Sequence, residues 1–370
     1  MRDASSAPVR SANPEPPEDD DQNEVAPARL QVTGRNLLVI CGFFAASLAA
    51  LYYLLPQLAG LQDTWHRIED GSPWWMLLAL AFTLCMFVGY VMMFRGVFGR
   101  AETREPIGWR ESYEITMAGL AASRIFAAGG AGGLVLMAWA LRRAGMRRRE
   151  VADKTLSFLI LTYFPYVLAL IVCGLGLRLG IFPGPAPFGL TVVPAILAVI
   201  ALGIGLSIAL VPTDLQRRVG RVVEGGGRIG RIAERLAHLP AAASAGMRDA
   251  IAHVGGRDPA LLGAFVFWAG QILVLWAAFK AFGDAPTWAV LIQAFFCGML
   301  GNLLPMPGGV GGVEGGMIGA LVAFDVDGGL AVVAVLVYRA FTFWLPLIPG
   351  VIAYFQLRKT TERWALHYTK

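Results

Sequence analysis

The sequence predicts an all-α polytopic membrane protein with about six full transmembrane helices and two re-entrant helical hairpins in an inverted-repeat arrangement. Three observations support this fold class: the composition, the spacing of the apolar runs, and two runs that are broken by glycines. Of the 370 residues, 56% are hydrophobic and only 15% are charged, and the mean hydropathy is +0.59. Soluble globular proteins carry about 25% charged residues. The composition therefore excludes an ordinary soluble protein.

Six apolar runs are long enough to cross the membrane. Each has about 20 residues, which is the length that a helix needs to cross a hydrocarbon core of about 30 Å. The predicted full spans are residues 37–59, 74–94, 155–178, 190–211, 260–280 and 329–356.

Two further apolar stretches, residues 113–142 and 287–324, are broken in the middle. The first contains Gly-Gly-Ala-Gly-Gly at 129–133, and the second contains Pro-Met-Pro-Gly-Gly-Val-Gly-Gly at 305–312. The pieces that follow the glycines have about 9 and 12 residues, so they reach only about 14 and 18 Å. Each stretch should therefore enter and leave on the same side. Irregular backbone at membrane depth needs protein or water partners, so the turns should line a cavity.

The basic residues predict the orientation. Of the 31 Lys and Arg residues, 24 fall in the segments that this topology places inside, which favours cytoplasmic location of both termini. The first hairpin then enters from the cytoplasm and the second from outside. The glycine runs at 129–133 and 308–312 resemble each other, and an aromatic–proline element follows each, ending at Pro165 and Pro346. Two related units of opposite orientation are typical of inverted-repeat transporters; chance similarity is the alternative.

The chain outside this domain is polar. Residues 1–34 are predicted to be a disordered cytoplasmic tail rich in acidic residues and proline, because they show no apolar periodicity. Residues 35–357 form the transmembrane domain, and 358–370 a short cytoplasmic tail. Within the domain, residues 213–259 alternate arginine with apolar residues and predict a basic amphipathic segment on the inner membrane surface. A plain cytoplasmic loop is the alternative.

Two arginines lie inside predicted membrane segments and are the main functional candidates. Arg339 lies about 15 Å deep in the last helix, and Glu314, just after the second glycine turn, is its best-motivated partner. Arg124 precedes the first glycine turn, and its guanidinium could bind a lipid phosphate through two hydrogen bonds. A charge at such depth is costly and marks a functional site. The alternatives are a buried ion pair that only fixes packing, and for Arg124 either snorkelling towards the cytoplasm or pairing with a carboxylate such as Glu114.

The other candidates are the glycine turns and polar groups near them. Backbone N–H groups of the turns could bind an anion, or the glycines could only allow close packing. Prolines are assigned structural roles, since they stop or stiffen helices. Further candidates for substrate binding are Ser123, Asn302, Tyr338, Gly129, Gly130, Gly308, Gly309, Gly311 and Gly312, and the structural prolines are Pro305, Pro307, Pro165 and Pro346.

The four cysteines lie inside apolar runs without a neighbour at metal-ligand spacing, so we expect no metal site and no cofactor. No nucleophile, Walker or sugar-nucleotide motif is present, so we do not expect an enzyme. The membrane topology explains the excess of basic over acidic residues, so we expect no nucleic-acid partner.

The stretch Gly301–Gly315 (GNLLPMPGGVGGVEG), followed by Val337-Tyr338-Arg339 and Phe343-Trp344-Leu345-Pro346, resembles the flippase-like family named for the transmembrane region of lysylphosphatidylglycerol synthases. Ala122–Gly133 and Ala138–Gly145 resemble its first re-entrant segment. The resemblance covers about residues 35–357. It implies a lipid-translocating domain and carries Arg124, Glu314 and Arg339 over as functional candidates. The synthases also carry a large soluble aminoacyl-transferase domain; this chain ends at Lys370, so we expect that it does not make aminoacylated lipid by itself.

These observations predict a flippase or transporter in the bacterial cytoplasmic (inner) membrane. It would move an anionic or aminoacylated phospholipid, or a polyprenyl-linked lipid, between leaflets. Two alternatives stay open: a non-catalytic membrane partner of a separate lipid-modifying enzyme or glycosyl transferase, and a polyprenyl-lipid transferase. Membrane lipids are the expected partners.

Overall fold

The computed structural model describes residues 71–99, 101, 103–125, 131–209, 246–253, 258–303 and 309–367. Their main helices are α1 Pro73–Phe98, α2 Trp109–Ile125, α3 Ala131–Arg143, α4 Arg148–Arg178, α5 Phe188–Ala209, α6 Pro259–Phe282, α7 Trp288–Met299, α8 Gly312–Ala323, α9 Gly328–Arg339 and α10 Leu347–His367. A 3₁₀ turn, Leu300–Leu303, follows α7, and a π-helical turn, Ala340–Trp344, follows α9. Residues 246–253 are also helical.

The structure confirms an all-α membrane protein. Within the described part of the chain, α1, α4, α5, α6 and the segment Gly328–Trp364 are long and apolar enough to cross a membrane. They correspond to five of the six predicted full spans. The sixth, residues 37–59, lies outside the described residues, as do the predicted tail 1–34 and most of the predicted basic segment 213–259.

Both broken stretches form antiparallel helix pairs. Helices α2 and α3 pack together with Gly119 against Gly133, and α7 and α8 pack with Gly298 against Gly316 and Met317. Helix α3 has 13 residues and α8 has 12, which correspond to about 20 and 18 Å. Helix α3 is therefore longer than the nine residues predicted, but both helices remain shorter than the hydrocarbon core.

The helix ends and loops gather at two ends of the bundle. At the first, which we call the basic end, the N–H of Glu105 donates to Ala144 O, and the hydroxyl of Thr360 donates to Glu114. At the opposite end, the hydroxyl of Thr287 donates to Pro183 O, and the Leu330 side chain packs over Gly283.

The hairpin α2–α3 therefore begins and ends at the basic end, whereas α7–α8 begins and ends at the opposite end. Two hairpins that open towards opposite ends are the arrangement that the sequence predicted.

The packing between helices also follows an approximate two-fold exchange. Helix α1 packs mainly on α6. Helix α2 of the first hairpin packs on α10, the helix that follows the second hairpin, and α7 of the second hairpin packs on α4, the helix that follows the first. Exchanging α1 with α6, α2 with α7, and α4 with α9–α10 reproduces the same set of partners. This pattern is typical of an inverted repeat.

The last segment differs from the single helix predicted for residues 329–356. It consists of α9, the π turn, and α10, which begins after Pro346 and continues to His367. Helix α9 packs on α6 and α8, whereas α10 packs on α2. Thr360, Thr361 and Trp364 are buried, so the predicted boundary at residue 357 falls inside α10. The break arises at Pro346, since proline cannot donate to the carbonyl four residues earlier.

Each hairpin contributes to its own hydrophobic core. One cluster of buried side chains contains the apolar faces of α6, α7, α8 and α9, and the other contains those of α1, α2, α3 and the start of α4, together with Leu357 and Trp364 of α10. The break in the last segment lies between the helices of these two clusters. This position brings side chains from both halves to the same turn.

Candidate functional site

Arg339 and Glu314 form a buried ion pair. The Nε–H of Arg339 donates to Oε1 of Glu314 at 2.6 Å, and the two residues are 5% and 0% exposed. The second carboxylate oxygen of Glu314 accepts the N–H of Gly311 at 2.8 Å. Glu314 therefore neutralises Arg339 and also caps the N-terminus of α8, where a negative charge is favourable. The predicted pairing of Arg339 with Glu314 is confirmed.

The described glycines of the second turn have different roles. Gly309 and Gly311 have φ values of 67° and 87°, in the left-handed region that favours glycine. Gly312 lies so close to Gly301 that a Cβ on Gly301 would collide with its carbonyl oxygen, which fits the packing alternative. The N–H of Gly311 is used by Glu314, so the anion at this helix N-terminus is a side chain of the protein itself. Gly129, Gly130, Pro305, Pro307 and Gly308 lie outside the described residues.

Arg124, in the last turn of α2, binds the broken part of the last segment. Its two terminal nitrogens donate to the carbonyls of Phe343 at 2.6 Å and Thr342 at 2.7 Å. Thr342 stands four residues before Pro346, so its carbonyl lacks the donor that a continuous helix would supply. Arg124 supplies that donor from the other half of the molecule.

The alternative partner considered for Arg124, Glu114, lies elsewhere. Its carboxylate accepts the Nε–H of Arg110 at 2.9 Å and the hydroxyl of Thr360 at 2.7 Å, at the basic end. The hypothesis of an Arg124–Glu114 pair is therefore wrong. The reason is distance along the helix: ten residues separate the two positions, which is about 15 Å.

Phe343 joins the two arginines. The guanidinium carbon of Arg124 lies 4.9 Å from the centroid of its ring, and that of Arg339 lies 4.3 Å from the same centroid. Cation–π attraction over the ring favours both contacts. The two guanidinium carbons are therefore no farther apart than the sum of these two distances. They nevertheless belong to helices from opposite halves of the chain.

The charges at this site do not cancel. Glu314 neutralises Arg339, whereas Arg124 contacts no carboxylate among the residues that the structure describes, and both of its polar contacts are neutral carbonyls. Arg124 is half-buried and lies about 24 Å along α2 from the basic end. A positive charge at that depth without a counter-charge is costly, and it gives the site a net charge of about one unit. Such a site attracts an anion.

Three other predicted residues contact groups of the protein itself. The hydroxyl of Tyr338 donates to Gln271 of α6 at 2.8 Å, which fits hydrogen bonding between helices. The hydroxyl of Ser123 donates to the carbonyl of Leu120 in its own helix at 2.8 Å. Asn302 lies in the 3₁₀ turn with its side-chain oxygen against Gly309. The structure therefore brings Arg124, Arg339 and Glu314 together, and places these three residues around them in supporting contacts.

The sequence reasoning missed Phe343 and the carbonyl of Thr342. A signal for the second was available, because a proline in a helix always frees the carbonyl four residues before it. The two proline elements also differ. Pro165 lies inside the unbroken helix α4, where the indole N–H of Trp268 donates to the carbonyl of Thr162 at 2.6 Å.

The sequence model of the family described as the lysylphosphatidylglycerol synthase TM region matches residues 37–350. The match covers most of the chain and includes both hairpins and the broken turn. The chain belongs to this family. A curated relative, a UPF0104 membrane protein of Methanothermobacter thermautotrophicus, is 37% identical over 86 residues, which are 23% of this chain and 26% of the relative. The aligned part thus spans about a quarter of that relative. No solved structure matches the chain.

Membership in the lysylphosphatidylglycerol synthase TM-region family places the site within the shared domain. Arg124, Glu314, Arg339 and the turn Ala340–Trp344 all fall inside the matched residues, which end at Gly350, one turn into α10. The helices that build the site thus lie within the part of the chain that the family model matches.

Proposed function

We propose that the protein moves a lipid with an anionic phosphate headgroup between membrane leaflets, and that Arg124 binds the phosphate. The single observation that carries this proposal is that Arg124 contacts no carboxylate among the described residues, whereas Arg339 beside it is neutralised by Glu314. A phosphate accepts two parallel hydrogen bonds from one guanidinium. The candidate lipids are an anionic or aminoacylated phospholipid and a polyprenyl-linked lipid, whose chains would stay in the bilayer while the headgroup crosses.

The arrangement of the hairpins supports transport. Short helices from opposite ends meet near the centre of the bundle, which is the position of substrate sites in inverted-repeat transporters. Membership in a family named for lipid-synthase membrane regions supports a lipid as the substrate.

The distribution of charge supports an orientation with the basic end in the cytoplasm of a bacterial inner membrane and both termini on that side. The described basic residues at that end are Arg95, Arg104, Arg110, Arg142, Arg143, Arg147, Arg148, Arg149, Lys154, Arg248, Arg358, Lys359 and Arg363. At the opposite end they are Arg178 and Lys280. In a protein whose four native cysteines are replaced by alanine, single cysteines at Glu362 and Asp284, labelled with an impermeant maleimide in intact cells, test this. Labelling of Glu362→Cys from outside would contradict it.

The transport proposal is tested in liposomes that contain purified full-length protein and a phosphatidylglycerol with a fluorescent headgroup. A membrane-impermeant quencher measures how fast the headgroup crosses. Arg124→Gln should slow crossing by about ten- to a hundredfold, which corresponds to the loss of one charge-assisted contact. Arg124→Lys should retain part of the rate, because it keeps the charge.

Arg358→Gln is the matched control, since it also removes one positive charge but from an exposed pair with Glu362. It should cross at the wild-type rate. A wild-type rate for Arg124→Gln would show that Arg124 does not bind the headgroup.

A further inference from the structure

The last segment is divided between the two halves of the molecule. Helix α9 packs on α6 and on α8 of the second hairpin, and α10 packs on α2 of the first hairpin. Gly350 of α10 lies against the Met117 carbonyl and Ala121. The turn Ala340–Trp344 is therefore the covalent joint between a body that contains the second hairpin and a body that contains the first.

This joint is weak in its own hydrogen bonding. In the π turn the N–H of Leu345 donates to Ala340 O, a bond across five residues instead of four. Pro346 removes the next donor. Isolated π turns and prolines are common positions of helix bending. The joint thus depends on contacts from outside its own helix.

Arg124 supplies those contacts. Its two hydrogen bonds to Thr342 O and Phe343 O connect α2 to the joint itself. A guanidinium has a fixed set of N–H donors, and a phosphate is a stronger acceptor than a neutral carbonyl. Of the five N–H donors of Arg124, one on each terminal nitrogen closes the joint, and a phosphate that bridges the two terminal nitrogens would compete with the carbonyls for these donors.

We infer that Arg124 is a latch: the phosphate of a lipid whose headgroup carries a net negative charge binds its guanidinium, competes with the carbonyls of Thr342 and Phe343 and so releases the joint between α9 and α10. This inference rests on the proposed function and adds its regulation, because the headgroup itself would unlock the movement of one half against the other. Phe343, whose ring lies against both guanidinium groups, is then a positioning residue that keeps Arg124 near the site after the carbonyls are released.

Hydrogen exchange in nanodiscs tests the latch without any transport. The full chain is placed in phosphatidylcholine discs or in discs of equal parts phosphatidylcholine and phosphatidylglycerol, and exchange is followed by mass spectrometry in peptides that cover residues 340–350. The anionic lipid should speed exchange there by about tenfold, as expected when one charge-assisted hydrogen bond is given up. Unchanged or slower exchange would overturn the latch.

Three variants sharpen the test. Arg124→Gln should exchange fast in both discs and lose the response, whereas Arg358→Gln should respond like the wild type. Pro346→Ala supplies an N–H within reach of the Thr342 carbonyl, so exchange should stay slow in both discs. A Pro346→Ala protein that responds like the wild type would overturn the role assigned to the freed carbonyl.

A third arm separates the sources of phosphate. Inorganic phosphate added to phosphatidylcholine discs should leave exchange unchanged, and a response to inorganic phosphate without a response to phosphatidylglycerol would overturn the lipid as the ligand. The liposome assay keeps the two proposals apart. Transport without an exchange response refutes the latch alone, and an exchange response without transport refutes the proposed function alone.

Discussion

Replacing Arg124 by methionine should destabilise the protein, and the part of the loss that comes from the Thr342 carbonyl should depend on Pro346. Methionine keeps much of the length of the side chain but donates no hydrogen bond. The carbonyls of Thr342 and Phe343 then lose the donors at 2.7 and 2.6 Å. In the wild type, Pro346 ensures that the Thr342 carbonyl has no helical donor.

The magnitude follows from the two bonds. A hydrogen bond from a charged donor contributes about 1.5–3 kcal/mol. Removing the half-buried charge of Arg124 offsets part of the loss, because that charge has no carboxylate partner among the described residues. We expect Arg124→Met to lower the free energy of unfolding by about 1–3 kcal/mol. In a Pro346→Ala background, the new N–H satisfies one carbonyl, so the same substitution should cost about 1 kcal/mol less.

A double-mutant cycle measures this difference. The free energy of unfolding in detergent is determined for the wild type, Arg124→Met, Pro346→Ala and the double variant. Pro165→Ala is the matched control, since Pro165 also lies in an apolar helix but does not precede or flank the two carbonyls that Arg124 binds. Its effect should add to that of Arg124→Met within about 0.5 kcal/mol.

The result that would refute the reasoning is additivity of Arg124→Met and Pro346→Ala. Additivity would mean that the hydrogen bond from Arg124 to the Thr342 carbonyl contributes equally with and without the proline. A coupling of the opposite sign would refute it equally, because the new N–H can only reduce the cost of losing Arg124.

Three further predictions concern residues around the site and at the basic end. Arg339→Gln should cost about 3–5 kcal/mol in unfolding free energy, because it leaves the carboxylate of Glu314 buried without its counter-charge; adding Glu314→Gln should recover a large part, as measured by thermal unfolding. Gly311→Ala should cost about 1–2 kcal/mol, because its φ of 87° is unfavourable for a residue with a Cβ; the melting temperature measures this. At the basic end, the carboxylates of Asp249, 3.6 Å away, and Asp258, 3.0 Å away, raise the pKa of His253, so the stabilisation from His253 is complete below its ordinary pKa of about 6.5 and is lost as the pH rises through the higher folded value. His253→Gln should remove this loss from a profile of melting temperature against pH between about 6 and 8.

Each of these predictions has an internal control. A double Glu314→Gln/Arg339→Gln protein no more stable than Arg339→Gln would show that the buried carboxylate is not the cause. Gly315→Ala lies in α8 with open space around the added methyl group and should be neutral or slightly stabilising; an equal loss in both glycine variants would refute the backbone argument.

For His253 the acid side of the profile serves as control. The contact with His253 at 3.6 Å lowers the pKa of Asp249, so the contribution of this carboxylate is present above its ordinary pKa of about 4 and disappears as the pH falls below it. An alkaline loss that persists unchanged in His253→Gln would assign it to another group.

Local patterns made the helices predictable. Runs such as residues 74–94 and 260–280 are too apolar and too long for anything except a membrane helix, since backbone groups in lipid must be satisfied within the helix. The hairpins followed from length in the same way, because the 12 residues of α8 cannot reach across the bilayer. The pairing of Arg339 with Glu314 was predictable because two buried opposite charges must find each other.

The partner of Arg124 was not predictable by these arguments. It lies 219 residues away at Phe343, and nothing in the residues near Arg124 indicates that position. The sequence reasoning also missed that α10 continues past residue 357. The residues beyond that position are held by contacts such as that of Thr360 with Glu114, which exist only when α10 packs on α2.

The sequence by itself determined the membrane helices, the two glycine-broken hairpins, the charge asymmetry between the ends, and the two arginines inside apolar segments. These are properties of single stretches of chain in lipid, which forms no hydrogen bonds with backbone groups. Only the tertiary structure decided that Arg124 closes the break before Pro346 and that Phe343 holds both guanidinium groups. The physical reason is that a freed carbonyl accepts any donor within reach, and which donor is within reach depends on how the two halves pack.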